Sequence, residues 1–299
     1  MHRYFHSGLR IASEMHLPEW DAFSCDWPGD ADVEIAISDG QAPAFRSDAS
    51  TAVTNDTAGF AIDGIGAWEL ESGRRMVVFP STAADPRMVR LFTLGSAWGL
   101  LGYQRGDAMW HGSAIEIAGH TALFCGAAGE GKSTMAGTMI AAGAALVADD
   151  LSRIGTMGEG VCIHPSSARI KLWGEAVAHF GWQDRVIERD LVREDKFHCS
   201  VPAHHARGGA MPLSAICVLE TGDRLALDPL SGVHALKAVL RGTIYRPEAI
   251  EAMGRWGEQG ALAAAVVAKV PVWRLTRPRD LAALADAGAL VVGMLDRLG

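Results

Sequence analysis

The sequence predicts an α/β protein: a mixed central sheet flanked by helices, preceded by a small β-rich N-terminal domain. Three observations lead there. Residues 1–80 alternate apolar and polar positions in short runs broken by turn residues, the period of half-buried strands. Residues 121–143 read as an apolar strand, a glycine-rich loop and a helix in direct succession. Beyond residue 144, strand-like and helix-like segments intermingle to the C-terminus, the pattern of a sheet with helices packed on it. The divisions expected are residues 1–85 for the β-rich domain, 86–105 for a connecting helix and 106–299 for the larger α/β domain.

Each element has its own local reason. GLRIAS, DVEIAIS, GFAIDGIGAWELE and RRMVVFP carry the alternation, and Pro-Gly-Asp and Ser-Asp-Gly between them are turn chemistry. From Asp85-Pro86 the period lengthens: Met88, Leu91, Leu94, Trp98 and Leu101 mark an amphipathic helix to about Tyr103, although Gly95 and Gly99 weaken it. MWHGSAIEI and TALFC then form a hairpin across Ala118-Gly119-His120, its second strand feeding the glycine-rich loop. A helix runs over KSTMAGTMIAAG, and Ala144–Ala148 is a short buried strand ending in Asp149-Asp150. Residues 152–164 read as a hairpin turning at Gly158-Glu159-Gly160, Ile170–Phe180 as a helix, and 184–209 as polar and irregular. LSAICVLE is a strand, Gly232–Arg241 a helix, Pro247–Val270 an Ala-rich helix and VWRLT a strand. Asp280 caps the closing helix, Asp280–Leu298.

Composition narrows the function. A net charge of −8 excludes a protein that grips nucleic acid through a broad phosphate-contacting surface, so no nucleic-acid partner is expected. The five cysteines (Cys25, Cys125, Cys162, Cys199 and Cys217) are scattered without a CxxC, which suits a reducing cytoplasm better than a disulfide framework. The first fifteen residues have no apolar h-region. The longest apolar segments, Leu91–Tyr103 and Leu281–Leu295, are shorter than a membrane span. A soluble cytoplasmic protein with no membrane partner is expected; a homo-oligomer stays open.

The chemistry concentrates in residues 111–150. Gly126-Ala-Ala-Gly129-Glu130-Gly131-Lys132-Ser133 fits G-x-x-x-x-G-K-[ST] between a strand and a helix. Glycines let successive amides turn toward phosphate oxygens, and the helix N-terminus adds its positive end. Lys132 would reach the outer phosphates, Ser133 would ligate Mg²⁺, and Thr134 completes the nucleotide-binding set with Glu130. Asp149-Asp150 ends a strand 17 residues after Lys132, where Mg²⁺ and the terminal phosphate of ATP would sit. Two adjacent carboxylates raise the pKa of one, which suits a proton acceptor. His111 lies 21 residues before Lys132, on the strand expected to pair with the one entering the loop. Arg169 and Lys171 in SSARIKLW are candidates for anion contact. Arg193 and Lys196 could meet phosphates or an acceptor. His198, Cys199, His204 and His205 match no trustworthy zinc spacing. Trp173, Trp182 and Trp256 read as core or interface, and Cys125 as buried and inert.

His111-Gly112, GAAGEGKS and ADD at 148–150 together resemble the catalytic core of the HPr kinase/phosphorylase family, whose fold is related to phosphoenolpyruvate carboxykinase. The resemblance covers about residues 106–155 and lacks the family's further Leu-Glu-x-Arg-Gly signature. It implies a P-loop protein-serine kinase using ATP and Mg²⁺. Asp149 would orient and deprotonate a serine, Asp150 would support the metal, and His111 would hydrogen-bond the catalytic carboxylate. LRIASEMHLPEW and HPSSARIKLW are similar to the HPr-kinase-like proteins of lasso-peptide biosynthesis, implying a precursor peptide with a C-terminal serine as substrate and partner. Other readings weigh less. A GTPase needs an N-K-x-D reader and the only asparagine is Asn55; Leu230-Ser231-Gly232 does not continue into an ABC signature. A binding-only peptide-delivery module and a small-molecule kinase remain as alternatives.

Overall fold

β1 (His2–His6) and β2 (Leu9–Ser13) open the chain as a hairpin, closed by Ser7 and Gly8, which hold φ of 54° and 71°. A turn with two left-handed residues matches the right-handed twist of the strands it joins. The computed structural model describes residues 1–40, 52–204 and 209–298, which divide into two units: 1–109 with 245–259, and 110–244 with 260–298.

In the first unit, β3 (Val33–Ile37), β4 (Ala52–Val53), β5 (Thr57–Ile62), β6 (Gly66–Glu71) and β7 (Arg75–Pro80) complete a seven-stranded sheet. Its order is β1-β2-β3-β7-β6-β5-β4, with β3 parallel to both neighbours. The alternation read from the sequence is visible in β2, where Leu9 and Ile11 are buried while Arg10 is not. The helix expected from Met88 is present but not uniform. α1 (Pro86–Phe92), capped by the Asp85 carboxylate, passes through a π-turn at Thr93–Ala97 into α2 (Trp98–Gln104). The widened turn contains Gly95, and a π-turn is a common local response to a break in helical packing. It also presents Thr93, whose hydroxyl accepts the Trp68 indole N–H at 2.9 Å.

The second unit carries a mixed sheet. After β8 (Ala108–His111) come β9 (Ser113–Ile117), β10 (His120–Cys125), α3 (Lys132–Ala141) and β11 (Ala145–Ala148). β12 (Leu151–Met157) and β13 (Gly160–Ile163) form the hairpin expected at 158–160. β14 (Arg169–Trp173) leads into α4 (Gly174–Phe180), and β15 (Val186–Arg189) and β16 (Lys196–Ser200) follow. β17 (Met211–Thr221), β18 (Ala226–Leu230), α5 (Gly232–Thr243), α6 (Pro247–Ala252), α7 (Trp256–Val267), β19 (Val272–Arg277) and α8 (Leu284–Leu295) complete the chain, α6 belonging to the first unit. The strand order is β11-β9-β10-β17-β13-β12-β8, with β19 beside β17 and β18 beside β19. β10, β17 and β19 run parallel; the other recorded pairings of this sheet are antiparallel. Parallel strands covered on both faces read as continuous apolar runs, as Ala122–Cys125 and Ala215–Leu219 do. α3, α4 and α8 cover this sheet with Met135, Met139, Val177, Val291 and Met294.

Three expectations are corrected. Ile170–Phe180 is not one helix: Arg169–Trp173 is a strand, because Ile170 and Leu172 point into the core while Arg169 and Lys171 take the other face. Residues 184–200 are not irregular, since β15 and β16 join β14 in a three-stranded sheet ordered β14-β16-β15, and 205–208 lie outside the described residues. Lys171, Glu188, Lys196 and His198 share one face, so the strand period is hidden among polar side chains. Pro247–Val270 breaks into two helices at Gly254, whose φ is 65°. Asp280 does cap a turn, its carboxylate accepting from the Ala282 N–H at 2.9 Å, but a 3₁₀ turn intervenes before α8. Among the described residues no helix is long and apolar enough to cross a membrane.

Candidate active site

The loop between β10 and α3 takes its shape from three glycines with positive φ: Gly126 at 148°, Gly129 at 85° and Gly131 at 78°. A side chain at 126 would come within 2.8 Å of the Leu219 carbonyl oxygen, and one at 131 would collide with the Arg277 guanidinium. The Gly126 N–H is anchored on the Gly242 carbonyl of α5 at 3.1 Å. α3 starts at Lys132 without a side-chain cap, so its first amides and its positive end face the loop. Lys132 is 8% exposed, and its ammonium donates to the Gly126 and Ala127 carbonyls at 3.0 and 3.1 Å. Burial lowers its pKa. Glu130 is tied twice: Thr221 donates to its carboxylate at 2.7 Å and Arg277 to its carbonyl at 3.1 Å. Thr134 is half-buried in the first turn and its carbonyl accepts from the Thr138 hydroxyl at 3.0 Å.

At the end of β11 the two carboxylates part. Asp149 Oδ1 accepts from the Ser113 hydroxyl at 2.6 Å and from the Ser133 hydroxyl at 2.9 Å; the two hydroxyl oxygens are 3.5 Å apart. Asp149 Oδ2 accepts from the Lys171 main-chain N–H at 3.1 Å. Asp150 adopts φ of 68°, which swings its side chain to the other side. There the Lys171 ammonium lies 2.6 Å from Oδ2 and His111 Nε2 lies 3.9 Å from Oδ1. A left-handed aspartate costs about 1–2 kcal/mol, and here it lets adjacent carboxylates face different partners.

His111 therefore departs from expectation twice. It stands on β8, which borders β12, rather than on the strand paired with β10; and it neighbours Asp150 rather than Asp149. The reason is Gly112, where a Cβ would come within 2.7 Å of Leu123 Cδ1 and 2.9 Å of the Phe124 carbonyl oxygen. The chain breaks at this close approach, and β9 begins afresh at Ser113.

Electrostatics divide the pair further. Burial and the neighbouring Asp150 raise the pKa of Asp149. Burial opposes ionisation of Asp150 too, but the Lys171 ammonium outweighs it and holds this carboxyl well below the usual range. Lys171 responds in kind: burial works against its charge, and Asp150 more than restores it, raising its pKa. Burial, followed by the Lys132 charge, lowers His111 to about 4, so its imidazole is neutral at pH 7.

The charged face of the three-stranded sheet adjoins these groups. Lys171 and His198 are register partners, as are Trp173 and Lys196. Lys196 places its ammonium 5.8 Å from the Trp173 ring centroid, and burial lowers its pKa. Arg169 is engaged by Glu188 at 2.9 Å rather than by the aspartates. His198 sits 3.3 Å from both Glu188 and Asp190. Arg193 is exposed in the turn after β15, its main-chain N–H on Asp190 Oδ1 at 2.9 Å. His204 pairs with Glu116 at 3.1 Å; His205 lies outside the described residues. Cys125 is fully buried, which pushes its thiol up to about 12.

Sequence reasoning thus picks out Lys132, Ser133, Asp149, Asp150, His111 and Lys171, all of which gather here. Two residues escape it. Ser113 follows His111-Gly112 directly, but a serine in a strand carries no signal by itself. Arg277 comes at the end of β19, and nothing local ties it to a loop so far earlier in the chain.

Fold and site together define a mixed α/β protein with a glycine-shaped loop at the start of α3 near two strand-end carboxylates. No family model and no curated protein matches the chain. Among solved structures it is similar to the HPr(Ser) kinase/phosphatase from Coxiella burnetii, with a TM-score of 0.32 and 16% identity over 64% of this chain and 99% of that one.

Proposed function

We propose that the protein is an ATP-dependent kinase transferring the γ-phosphate to a serine hydroxyl of a peptide, with the C-terminal serine of a lasso peptide precursor as the acceptor. One observation carries the phosphotransfer reading: the Ser133 hydroxyl, in the first turn of α3, hydrogen-bonds the Asp149 carboxylate at 2.9 Å. A carboxylate in that position lies beside any phosphate seated on the loop amides and on Lys132. The peptide and the lasso precursor rest on the likeness of LRIASEMHLPEW and HPSSARIKLW alone, and residues 1–85 are proposed as the domain apart from the chemistry.

The residues divide the work as follows. Amides of 129–134 and the Lys132 ammonium hold the β- and γ-phosphate oxygens. Ser113 Oγ, Ser133 Oγ and Asp149 Oδ1 form a close set of hard oxygen donors that fits Mg²⁺. Ser133 and the Asp149 carboxylate would hold the ion, while Asp150, expected from the sequence to support it, is turned to Lys171 and His111 instead. The ion's contribution is to neutralise charge across the phosphate oxygens. Asp149 orients the acceptor hydroxyl in line with the γ-phosphorus. As the bond from phosphorus to the β-γ bridging oxygen breaks and the bond to the serine oxygen forms, Asp149 takes the hydroxyl proton late. Lys171 keeps Asp150 ionised. Lys196, half-buried beside the aspartates, and Arg193 offer positive charge on the acceptor side.

The test is mass spectrometry of a precursor peptide incubated with enzyme, ATP and Mg²⁺, alongside Asp149→Asn. The wild type adds a phosphate group to the peptide's serine, while Asp149→Asn still binds nucleotide and adds none. A variant that transfers at the wild-type rate removes Asp149 from the base role, and a peptide that gains no phosphate removes the peptide-kinase assignment.

A further inference from the structure

Arg277 ends β19, the strand parallel to β17, and is only 8% exposed. Its guanidinium lies against the glycine loop from behind. One amino group donates to the Glu130 carbonyl at 3.1 Å and the other to the Pro278 carbonyl at 3.1 Å. The same guanidinium occupies the space that a side chain on Gly131 would need. Its Nε–H is buried with no hydrogen-bond partner among the described residues.

Such an arrangement is costly. A buried guanidinium ordinarily faces a carboxylate, and a buried donor without an acceptor carries its full desolvation penalty. The Glu130 carboxylate attracts it through space but is hydrogen-bonded to Thr221, and burial outweighs that attraction, lowering the pKa of Arg277. Arg279 adds a second cation nearby, its Nε 3.4 Å from the Thr221 hydroxyl. Positive charge has thus been buried directly behind the Glu130–Gly131 peptide, the point at which the loop turns into α3. Two neutral carbonyls do not balance that charge; an anion on the front of the loop does.

We propose that Arg277 is a positioning residue for the nucleotide's phosphates. It fixes the Glu130–Gly131 peptide from β19 so that the amides at the start of α3 point forward, and it adds buried positive potential behind them. This rests on the phosphate-site reading above. Because Arg277 acts through the loop rather than on the terminal phosphate, its removal affects ADP and ATP alike.

The experiment compares Mg-ADP and Mg-ATP binding by titration calorimetry for the wild type, Arg277→Met and Arg277→Lys, with thermal melting as the folding control. Arg277→Met weakens both nucleotides by about tenfold, the equivalent of one hydrogen bond to a charged group. Arg277→Lys, which keeps the charge and one donor, recovers to within about threefold of the wild type. A purely structural role would lower the melting temperature in both variants without this ordering. Arg277→Met binding both nucleotides within twofold of the wild type overturns the proposal, as does Arg277→Lys binding no better than Arg277→Met. Should Arg277→Met not fold, Arg277→Gln replaces it against the same thresholds. A wild-type protein that binds neither nucleotide defeats the phosphate-site reading itself, a result distinct from either variant outcome.

Discussion

Replacing Ser113 by alanine removes one oxygen atom from the site and isolates what it does for Asp149. Ser113 is 1% exposed and its hydroxyl donates to Asp149 Oδ1 at 2.6 Å. No solvent reaches position 113 to replace it, whereas the donors from Ser133 and the Lys171 amide stay in place. A hydrogen bond to an ionised group is worth about 1.5–3 kcal/mol, so the variant loses that much stability at pH 7. The pH dependence identifies the cause. The folded-state pKa of Asp149 is already raised, and losing a donor raises it further. A carboxyl with a raised folded pKa stabilises the fold below its unfolded pKa and loses that contribution as pH rises through the folded value. The deficit of Ser113→Ala is therefore largest where Asp149 is ionised and shrinks as the pH falls and the carboxyl takes up its proton. Urea denaturation followed by tryptophan fluorescence from pH 4 to 8 measures it. A deficit below about 0.5 kcal/mol, or one that does not change with pH, refutes the role assigned to Ser113.

Two further outcomes follow from the same site. His111 titrates near 4 by NMR rather than near the ordinary 6.5; its depressed pKa means that the stability it confers is present above 6.5 and lost as the pH falls toward 4. A midpoint at 6 or higher would place its ring in solvent instead of beside Lys132 and Asp150. Gly131→Ala forces a left-handed alanine into the space held by Arg277, costing about 1–2 kcal/mol for the backbone alone. It should abolish nucleotide binding in a calorimetric titration, and unchanged affinity would show the loop to be more plastic than its geometry.

The core of this site was legible because its signals are local. Gly126 to Ser133 is a contiguous pattern, and Asp149-Asp150 follows within one helix and one strand. The sequence could not show which carboxylate faces which partner, because that depends on a single positive φ at Asp150. Nor could it show the three-stranded sheet. Lys171, Lys196, His198 and Glu188 occupy alternate positions facing away from the core, so the strand period is written in charges rather than in apolar residues. Ile170, Leu172 and Cys199 carry the complementary signal, but each run is too short to outweigh a helical reading of 170–180. Arg277 was illegible for another reason. Its partner lies on a parallel strand's loop far away in sequence, and only the assembled β10-β17-β19 order brings them together.

Lys171 holds the two aspartates by different means, the main-chain N–H for Asp149 and the ammonium for Asp150. Every amino acid except proline supplies the first attachment, and only a long cationic side chain supplies the second. Drift at this one codon can thus retune the charge balance around Asp150 while the seat of Asp149 is inherited unchanged. The arrangement separates what evolution may adjust from what it must keep, within a single residue.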